Sequence, residues 1–388
     1  MANVPKASLG GRPLAQSATD TSGGNTMQMA SAAPAPHITK EFAAKIARWQ
    51  IRHGRRGLPW QDTRDPYRIW LSEIMLQQTQ VSTVVGYYER FLKRFPDIQT
   101  LASATQEEVM PYWAGLGYYA RARNLHRCAQ VVCNEWDGRF PVQAADIATL
   151  PGIGASTAAA IAAFSQGERS PIMDGNVRRV FARFFGVHGQ PGLRRTENAL
   201  WGLARAMVDN APADLDMTAY TQGLMDLGAM VCTRSRPRCD ACPLTQDCHA
   251  RQHGCQQSLP TPRAKKPIPQ RNCAMLVAVC DDQILLEEQP SPGIWGGLWS
   301  LPRFDQAQDL QAACGAAGSP QRMAGLTHVF THFRLDIDPW LLQASHVPPA
   351  LRETDARAWV PIASLADTAL PAPVRKILTG LFPAQSGA

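Results

Sequence analysis

Cys232, Cys239, Cys242 and Cys248 follow one another in the pattern C-x6-C-x2-C-x5-C. A segment that brings four thiols together is fixed as a loop around whatever they hold, which constrains the fold more tightly than any apolar pattern. A tetrathiolate site accommodates Zn²⁺ or an iron-sulfur cluster, since both favour soft sulfur ligands in tetrahedral arrangement. Zinc ribbons usually pair two short CxxC knuckles, whereas here only Cys239 and Cys242 stand that close. Wider loops suit a larger cubane. Zinc and four unconnected buried thiols remain the alternatives, the second disfavoured by the clustering. The chain has ten cysteines and no continuous apolar segment of secretory type, so they read as ligands and buried thiols rather than a disulfide framework.

Between the first two cysteines, Arg234, Arg236 and Arg238 ride on a loop that a metal site would stiffen, an arrangement suited to phosphates. A net charge of +7 agrees with a polyanionic partner, although charge alone does not separate nucleic acid from an acidic membrane surface. No apolar run approaches the ~20 residues that cross a bilayer. Residues 1–37, rich in Ala, Ser, Thr, Gly and Pro and without apolar periodicity, read as a disordered tail.

From Phe42 to about Cys248 the periodicity is helical, with Phe42, Ile46 and Trp49 on one stripe and Val177, Val180, Phe181 and Phe184 on another. The Pro-rich basic stretch 258–271 reads as a semi-rigid linker. Beyond it, CAMLVAVCDDQILLEEQ reads as strand, Asp281-Asp282 turn, strand. HVFTHFRLDI alternates through Val329, Thr331, Phe333, Leu335 and Ile337 as a further strand, and VRKILTGLF as a closing helix. The second unit is therefore α+β, after an all-α first unit.

In LPGIGASTAAAIAAF a helix ends near Leu150 and another opens near Ala155. Gly152 and Gly154 permit the tight turn and leave N–H groups at a helix N-terminus, where the dipole favours a phosphate. An ordinary helix-connecting turn has the same pattern. On a helical wheel Ile69, Glu73, Leu76 and Gln80 share a face, giving Glu73 apolar neighbours that raise its pKa toward the range of a general acid. The competing orientation turns Trp70, Ile74 and Val81 inward and Glu73 out. Asp174 stands at the start of a periodic helix, where N–H groups keep a carboxylate ionised or simply cap the helix. One protonated and one ionised acid is the division of labour that glycosidic cleavage requires.

Taken in order, LPWQDTRDPYRIWLSEIMLQQTQV, GLGYYARARNL, LPGIGASTAAAI, MDGNVRRV and the cysteine spacing resemble the helix-hairpin-helix DNA glycosylases, and among them the MutY-type adenine DNA glycosylases, over residues 40 to about 382. The resemblance implies a [4Fe-4S] cluster on the four cysteines and duplex DNA carrying adenine opposite 8-oxoguanine or guanine as substrate. It makes Glu73 the acid that protonates adenine, Asp174 the group that stabilises the cationic sugar, and Asn176 a polar neighbour. Gln77, Gln78 and Tyr118 become residues that probe or wedge the base stack. Ser156 occupies a position that carries lysine in the endonuclease III group, where the amine forms a Schiff base and cuts the strand. Serine cannot do that, so a monofunctional enzyme leaving an abasic site is expected.

PGIWGGLWSLPRF resembles the Nudix, or MutT-like, fold, and QAQDLQAACGAAG lacks the glutamates that hold Mg²⁺ in an active Nudix hydrolase. Recognition without hydrolysis is implied, through Phe330, Thr331 and His332; where many members carry serine, Thr331 keeps the hydroxyl and adds a methyl. The expected organisation is a tail (1–37), an all-α helix-hairpin-helix glycosylase domain (38–231), an iron-sulfur cluster loop (232–255), a linker (256–270) and an α+β Nudix-like lesion-recognition domain (271–388). A monomer is expected, with no membrane partner and with abasic-site repair enzymes downstream. The expected location is the bacterial cytoplasm, at the nucleoid, or an organelle or nucleus in a eukaryote. Competing readings are an endonuclease III-like lyase, a non-catalytic DNA-binding iron-sulfur protein and a nucleotide pyrophosphohydrolase.

Overall fold

The computed structural model describes residues 36–263 and 267–383. The expected tail lies outside them, except that Pro36 and His37 already open the first helix. The first unit comprises α1 (Pro36–His53), α2 (Pro66–Leu76), α3 (Val81–Arg94), α4 (Ile98–Ser103), α5 (Gln106–Trp113), α6 (Ala120–Glu135), α7 (Ala144–Ile147), α8 (Ala155–Gln166), α9 (Gly175–Phe185), α10 (Arg194–Asp209), α11 (Met217–Asp226) and α12 (His249–Gln252). Among the described residues no strand interrupts this run.

Two apolar cores organise the helices. The first gathers residues from Trp60 to Ala162, across α2 to α8. The second joins α1 to α9, α10 and α11, and the two stripes read from the sequence meet there: Phe42 packs on Phe181 and Phe184 with ring centroids 5.4 and 4.8 Å apart. Each fully buried ring of this kind stabilises the fold by roughly 1.5–3 kcal/mol. Helix α8 is the partition. Ala158, Ile161 and Ala162 belong to one core and Ala159 and Ala160 to the other. Small side chains on both faces let two lobes close on a single helix.

Helix α2 starts where Asp65 caps the Tyr67 N–H at 2.9 Å ahead of Pro66, and stops at Leu76. Gln80 is not on this helix, contrary to the stripe expected from the sequence: the chain turns through Gln78 at φ 57°, and Gln80 becomes the N-cap of α3. Of the first set only Ile69 is buried, Glu73 and Leu76 being partly covered and Gln80 exposed, while Trp70 and Ile74 of the competing set are both buried.

The linker is not a free spacer at its start. Leu259 is buried, Arg183 donates to the carbonyls of Gln256 and Leu259 at 3.0 and 2.9 Å, and the Thr261 hydroxyl accepts from the Gly189 N–H at 3.0 Å.

The second unit is a mixed sheet of β1 (Gln270–Cys280), β2 (Gln283–Glu288), β3 (Trp299–Ser300), β4 (Arg303–Phe304), β5 (Gln321–Arg322), β6 (Leu326–Val329), β7 (Arg334–Gln343) and β8 (Arg357–Pro361), with α13 (Ala307–Cys314) and α14 (Ala372–Leu381). The path runs β3-β2-β1-β7-β5, with β4 beside β1, β6 beside β7 and β8 beside β2. β1 and β2 join through Asp281 and Asp282 at φ 48° and 59°, the paired left-handed conformation of a tight hairpin. β1 and β7 are parallel from Gln270↔Arg334 to Val279↔Gln343. Buried from Cys273 onward, β1 divides its side chains by parity: Cys273, Met275, Val277 and Val279 pack with Val374 and Ile377 of α14, while Ala274, Leu276, Ala278 and Cys280 pack with Leu310 and Cys314 of α13. The α14 face is continuous with the first helical core.

HVFTHFRLDI is not one strand. β6 ends at Val329, residues 330–333 turn, and β7 begins at Arg334; the Phe330 N–H donates to the Phe333 carbonyl at 2.8 Å to close the turn. Val329, placed in the expected alternation, is exposed, whereas Leu335 and Ile337 are buried as expected.

Candidate active site

A cavity of about 720 Å³ opens beside α2, walled by residues around the end of α1 (Gln50, Arg55), the loop with Trp60 and Arg64, Ile69 and Glu73 of α2, and Thr218 and Gln222 of α11. Its size is that of a small-molecule site. Glu73 keeps partial access to this cavity while its helix neighbours Ser72 and Ile74 are buried. Removal from water pushes its pKa up to about 7; the negative charge of Asp174 adds to the rise and the Arg55 guanidinium opposes it. Arg55 is itself held: its Nε and backbone N–H donate to the fully buried Asp226 carboxylate at 2.7 and 2.9 Å, and Gln222 donates to the same group at 2.9 Å.

Asp174 is the N-cap of α9. One carboxylate oxygen accepts from the Val177 N–H at 2.7 Å and the other from the Asn176 amide at 3.1 Å. Asn176 accepts in turn from Arg179 at 2.8 Å, and Arg179 also donates to the carbonyls of Gly228 and Cys232, each at 2.6 Å. Ser156 pins the approach to Asp174 by accepting from the Met173 N–H at 2.8 Å. Sequence reasoning missed Arg179, although its position three residues after Asn176 on one helix face was the available signal.

The hairpin has the expected form. Gly152 adopts φ 77°, where an added Cβ would lie 2.7 Å from the Asn124 Cβ, and Gly154 is the N-cap of α8; both are exposed. A second cleft, also about 720 Å³, is lined by Gln77, Gln78, Tyr118, Phe330, Thr331 and His332, so six candidates distant in sequence come together. The turn at 330–333, in place of a strand, is what points three consecutive residues at one cleft. Tyr118, at φ 51° and 46% exposed, shares a hydrogen bond of 2.9 Å with the Thr331 hydroxyl.

Behind these residues stands Arg121, which the sequence did not single out. Almost fully buried, it donates to the carbonyls of Ile74, Met75 and Gln77 at 2.8, 2.9 and 2.7 Å and to those of Leu116 and Gly117 at 3.2 and 3.0 Å. One side chain thus caps the end of α2 and holds the Tyr118 loop against it. Burial lowers its pKa to about 10.

Cys232, Cys239, Cys242 and Cys248, each partly buried, line one small space with Arg183 and Arg238. Four soft sulfur donors around one space fit an iron-sulfur cluster or a zinc ion. Arg183 Nη1 lies 3.4 Å from Cys232 Sγ. Burial, ahead of the charges of the other three thiols, pushes Cys242 up to about 12. Arg234 and Arg236 are exposed on the loop; Arg238, also exposed, turns back to donate to the Met230 carbonyl at 2.7 Å.

Residues 71–206 match the model of the HhH-GPD superfamily of base excision DNA repair proteins and residues 273–380 that of the NUDIX domain. Adenine DNA glycosylase of Buchnera aphidicola (subsp. Acyrthosiphon pisum) is 32% identical over 341 residues, covering 87% of this chain and 96% of that protein. Adenine DNA glycosylase of Homo sapiens is 32% identical over 387 residues, covering 82% of this chain and 70% of that protein. A solved thermostable thymine-DNA glycosylase is 30% identical with a TM-score of 0.50, covering 56% of this chain and 98% of that one. Among the described residues no helix is long and apolar enough to cross a membrane. With Glu73 in a cavity of the helical unit and within the field of Asp174, a Nudix-like sheet, and relatives at 32% identity over more than four fifths of its length, the chain belongs to the adenine DNA glycosylase family.

Proposed function

We propose that the protein removes adenine opposite 8-oxoguanine or guanine in duplex DNA by hydrolysing its N-glycosidic bond. The observation that carries this reading is the pairing of Glu73, with a pKa near 7 in a cavity, with the charge of Asp174 held at a helix N-terminus. A stacked adenine is out of reach of such an acid, so the base must be flipped into the cavity. Glu73 then gives its proton to N7, and the bond from the sugar to N9 breaks with its electron pair passing to the base. The cationic sugar forms near the Asp174 carboxylate, whose oxygens are oriented by Val177 and Asn176. Glu73, now ionised, takes a proton from the water that adds to the sugar. With Ser156 bonded to the backbone where a lyase needs an amine, no Schiff base forms and an intact strand with an abasic site is released.

The four thiols fit a [4Fe-4S] cluster, because four soft sulfur donors line one space and their C-x6-C-x2-C-x5-C spacing departs from the paired short knuckles of zinc ribbons. When bound, such a cluster cross-links the loop and contributes rigidity. Arg234 and Arg236 on that loop, and the N–H groups after Gly152 and Gly154, would then meet backbone phosphates. Gln77, Gln78, Tyr118, Phe330, Thr331 and His332 would receive the base opposite the adenine. The enzyme would work as a monomer, its abasic product passing to abasic-site repair enzymes.

Single-turnover adenine release from A·8-oxoguanine and A·G duplexes tests the reading, with borohydride trapping alongside. Adenine release without a trapped covalent complex is expected. Efficient trapping with strand cleavage would overturn the monofunctional assignment.

A further inference from the structure

Arg123 stands on α6, one turn beyond the loop that carries Tyr118, and its side chain crosses to the sheet domain. There Nη1 donates to the Gly296 carbonyl at 2.6 Å. The guanidinium is half-buried, and loss of water pulls its pKa below the usual range. A charge so placed depends on the acceptor it has. Gly296 lies in a segment that otherwise bonds largely to itself: Gly296 N–H to Gly293 at 3.4 Å, Gly297 N–H to Gln289 at 2.8 Å and Leu298 N–H to Trp295 at 2.9 Å. These bonds tie Gly296 to the backbone on either side of it.

Trp295, next to Gly296, is held at φ 61° and is only 5% exposed. Its ring packs 5.7 Å from Phe330 and 6.2 Å from His328, and Phe330 stacks on Phe333 at 4.4 Å. These rings form the platform beneath the turn that presents Thr331 and His332. Two hydrogen bonds cross the cleft: Tyr118–Thr331, between two exposed side chains, and Arg123–Gly296, whose residues line the same space. Both hydroxyls of that first bond face the cleft, so a base entering beside them competes for the same donors and acceptors. The Arg123 bond ends on a backbone carbonyl, which has no side-chain rotamer to change, so it is the less readily displaced of the two.

We propose that Arg123 is a positioning residue for lesion reading: through Gly296 and Trp295 it fixes where the Phe330–His332 turn stands relative to Tyr118, and so sets preference for the base opposite adenine. The inference rests on the assignment of that cleft to the opposing base. It is tested in the full chain by the ratio of adenine release from A·8-oxoguanine to that from A·G at limiting enzyme, for wild type, Arg123→Ala, Arg123→Lys, Trp295→Phe and the Arg123→Ala/Trp295→Phe double variant. The ratio cancels differences in active fraction, which a merely structural defect would change. Loss of a charge-assisted bond predicts a fall of about tenfold for Arg123→Ala. Partial rescue is expected for Arg123→Lys, and the double variant should be no worse than Arg123→Ala. A ratio within about twofold of wild type for Arg123→Ala, or effects of the two single changes that simply multiply, would overturn the proposal. A wild-type ratio near one would instead overturn the cleft assignment beneath it.

Discussion

Glu73 is the residue on which the chemistry turns, and two measurements separate its charge from its shape. Glu73→Gln should lower single-turnover adenine release by about 100-fold or more, the usual worth of a positioned general acid. In the wild type the rate should fall as pH rises through about 7, where the acid gives up its proton. Stability must follow the same proton. Because the folded-state value of about 7 exceeds the ordinary 4.5, the folded form binds the proton more tightly, and stability falls as pH rises from 4.5 through 7. Glu73→Gln should therefore stabilise the protein at pH 8, by about 2 kcal/mol after allowing for water in the cavity, and hardly at all at pH 4. Equal melting temperatures of both proteins at pH 8 would refute the burial argument. Asp174→Asn keeps an acceptor for the Val177 N–H while removing the charge and the acceptor for the Asn176 amide, so a loss of about 100-fold in rate with a cost of about 1 kcal/mol in stability is expected.

Among the elements, the hairpin offers a comparison of two neighbouring glycines. Gly152 has both a positive φ and Asn124 against it, so Gly152→Ala should cost about 1–3 kcal/mol, visible in the urea midpoint. Gly154 has φ −92° and open space around it, so Gly154→Ala should fold normally. A loss of duplex affinity in that variant would report close approach of this backbone to phosphate; unchanged affinity would remove Gly154 from the interface. Arg121→Met should destabilise by about 3 kcal/mol or more, since it strands several buried carbonyls at the end of α2 and in the Tyr118 loop. Such couplings explain where the sequence was legible. Caps and apolar stripes, such as Asp174 before α9 or Phe42 with Ile46, are local and could be read directly. The end of α2 depends on Arg121, an arginine no different in sequence from Arg123 beside it. The turn at Phe330–Phe333 looked like strand because hydrophobic alternation continues through it; only pairing of β6 with β7 shows that Val329 faces out.

Across the whole molecule, the change of composition at the linker is not a gap in packing, because the core of the helical lobe continues into the α14 face of the sheet. Substitutions along this seam should therefore affect both halves together, and a single cooperative urea transition is expected by circular dichroism and tryptophan fluorescence. At the cysteine site, purified protein should carry about four irons and four sulfides per chain, and Cys239→Ser should lower both. One zinc per chain and no sulfide would refute the cluster.

Arg183, almost wholly buried on α9, donates to the carbonyls of Cys232, Thr233 and Arg234 as well as to those of Gln256 and Leu259. The helix that begins at Asp174, the thiol loop and the exit toward the sheet are thus knotted at one guanidinium. Emptying the thiol loop of the proposed cluster would therefore slacken the start of the catalytic helix and the path to the sheet in one event, so a fault at the sulfurs would be felt at both ends of the protein.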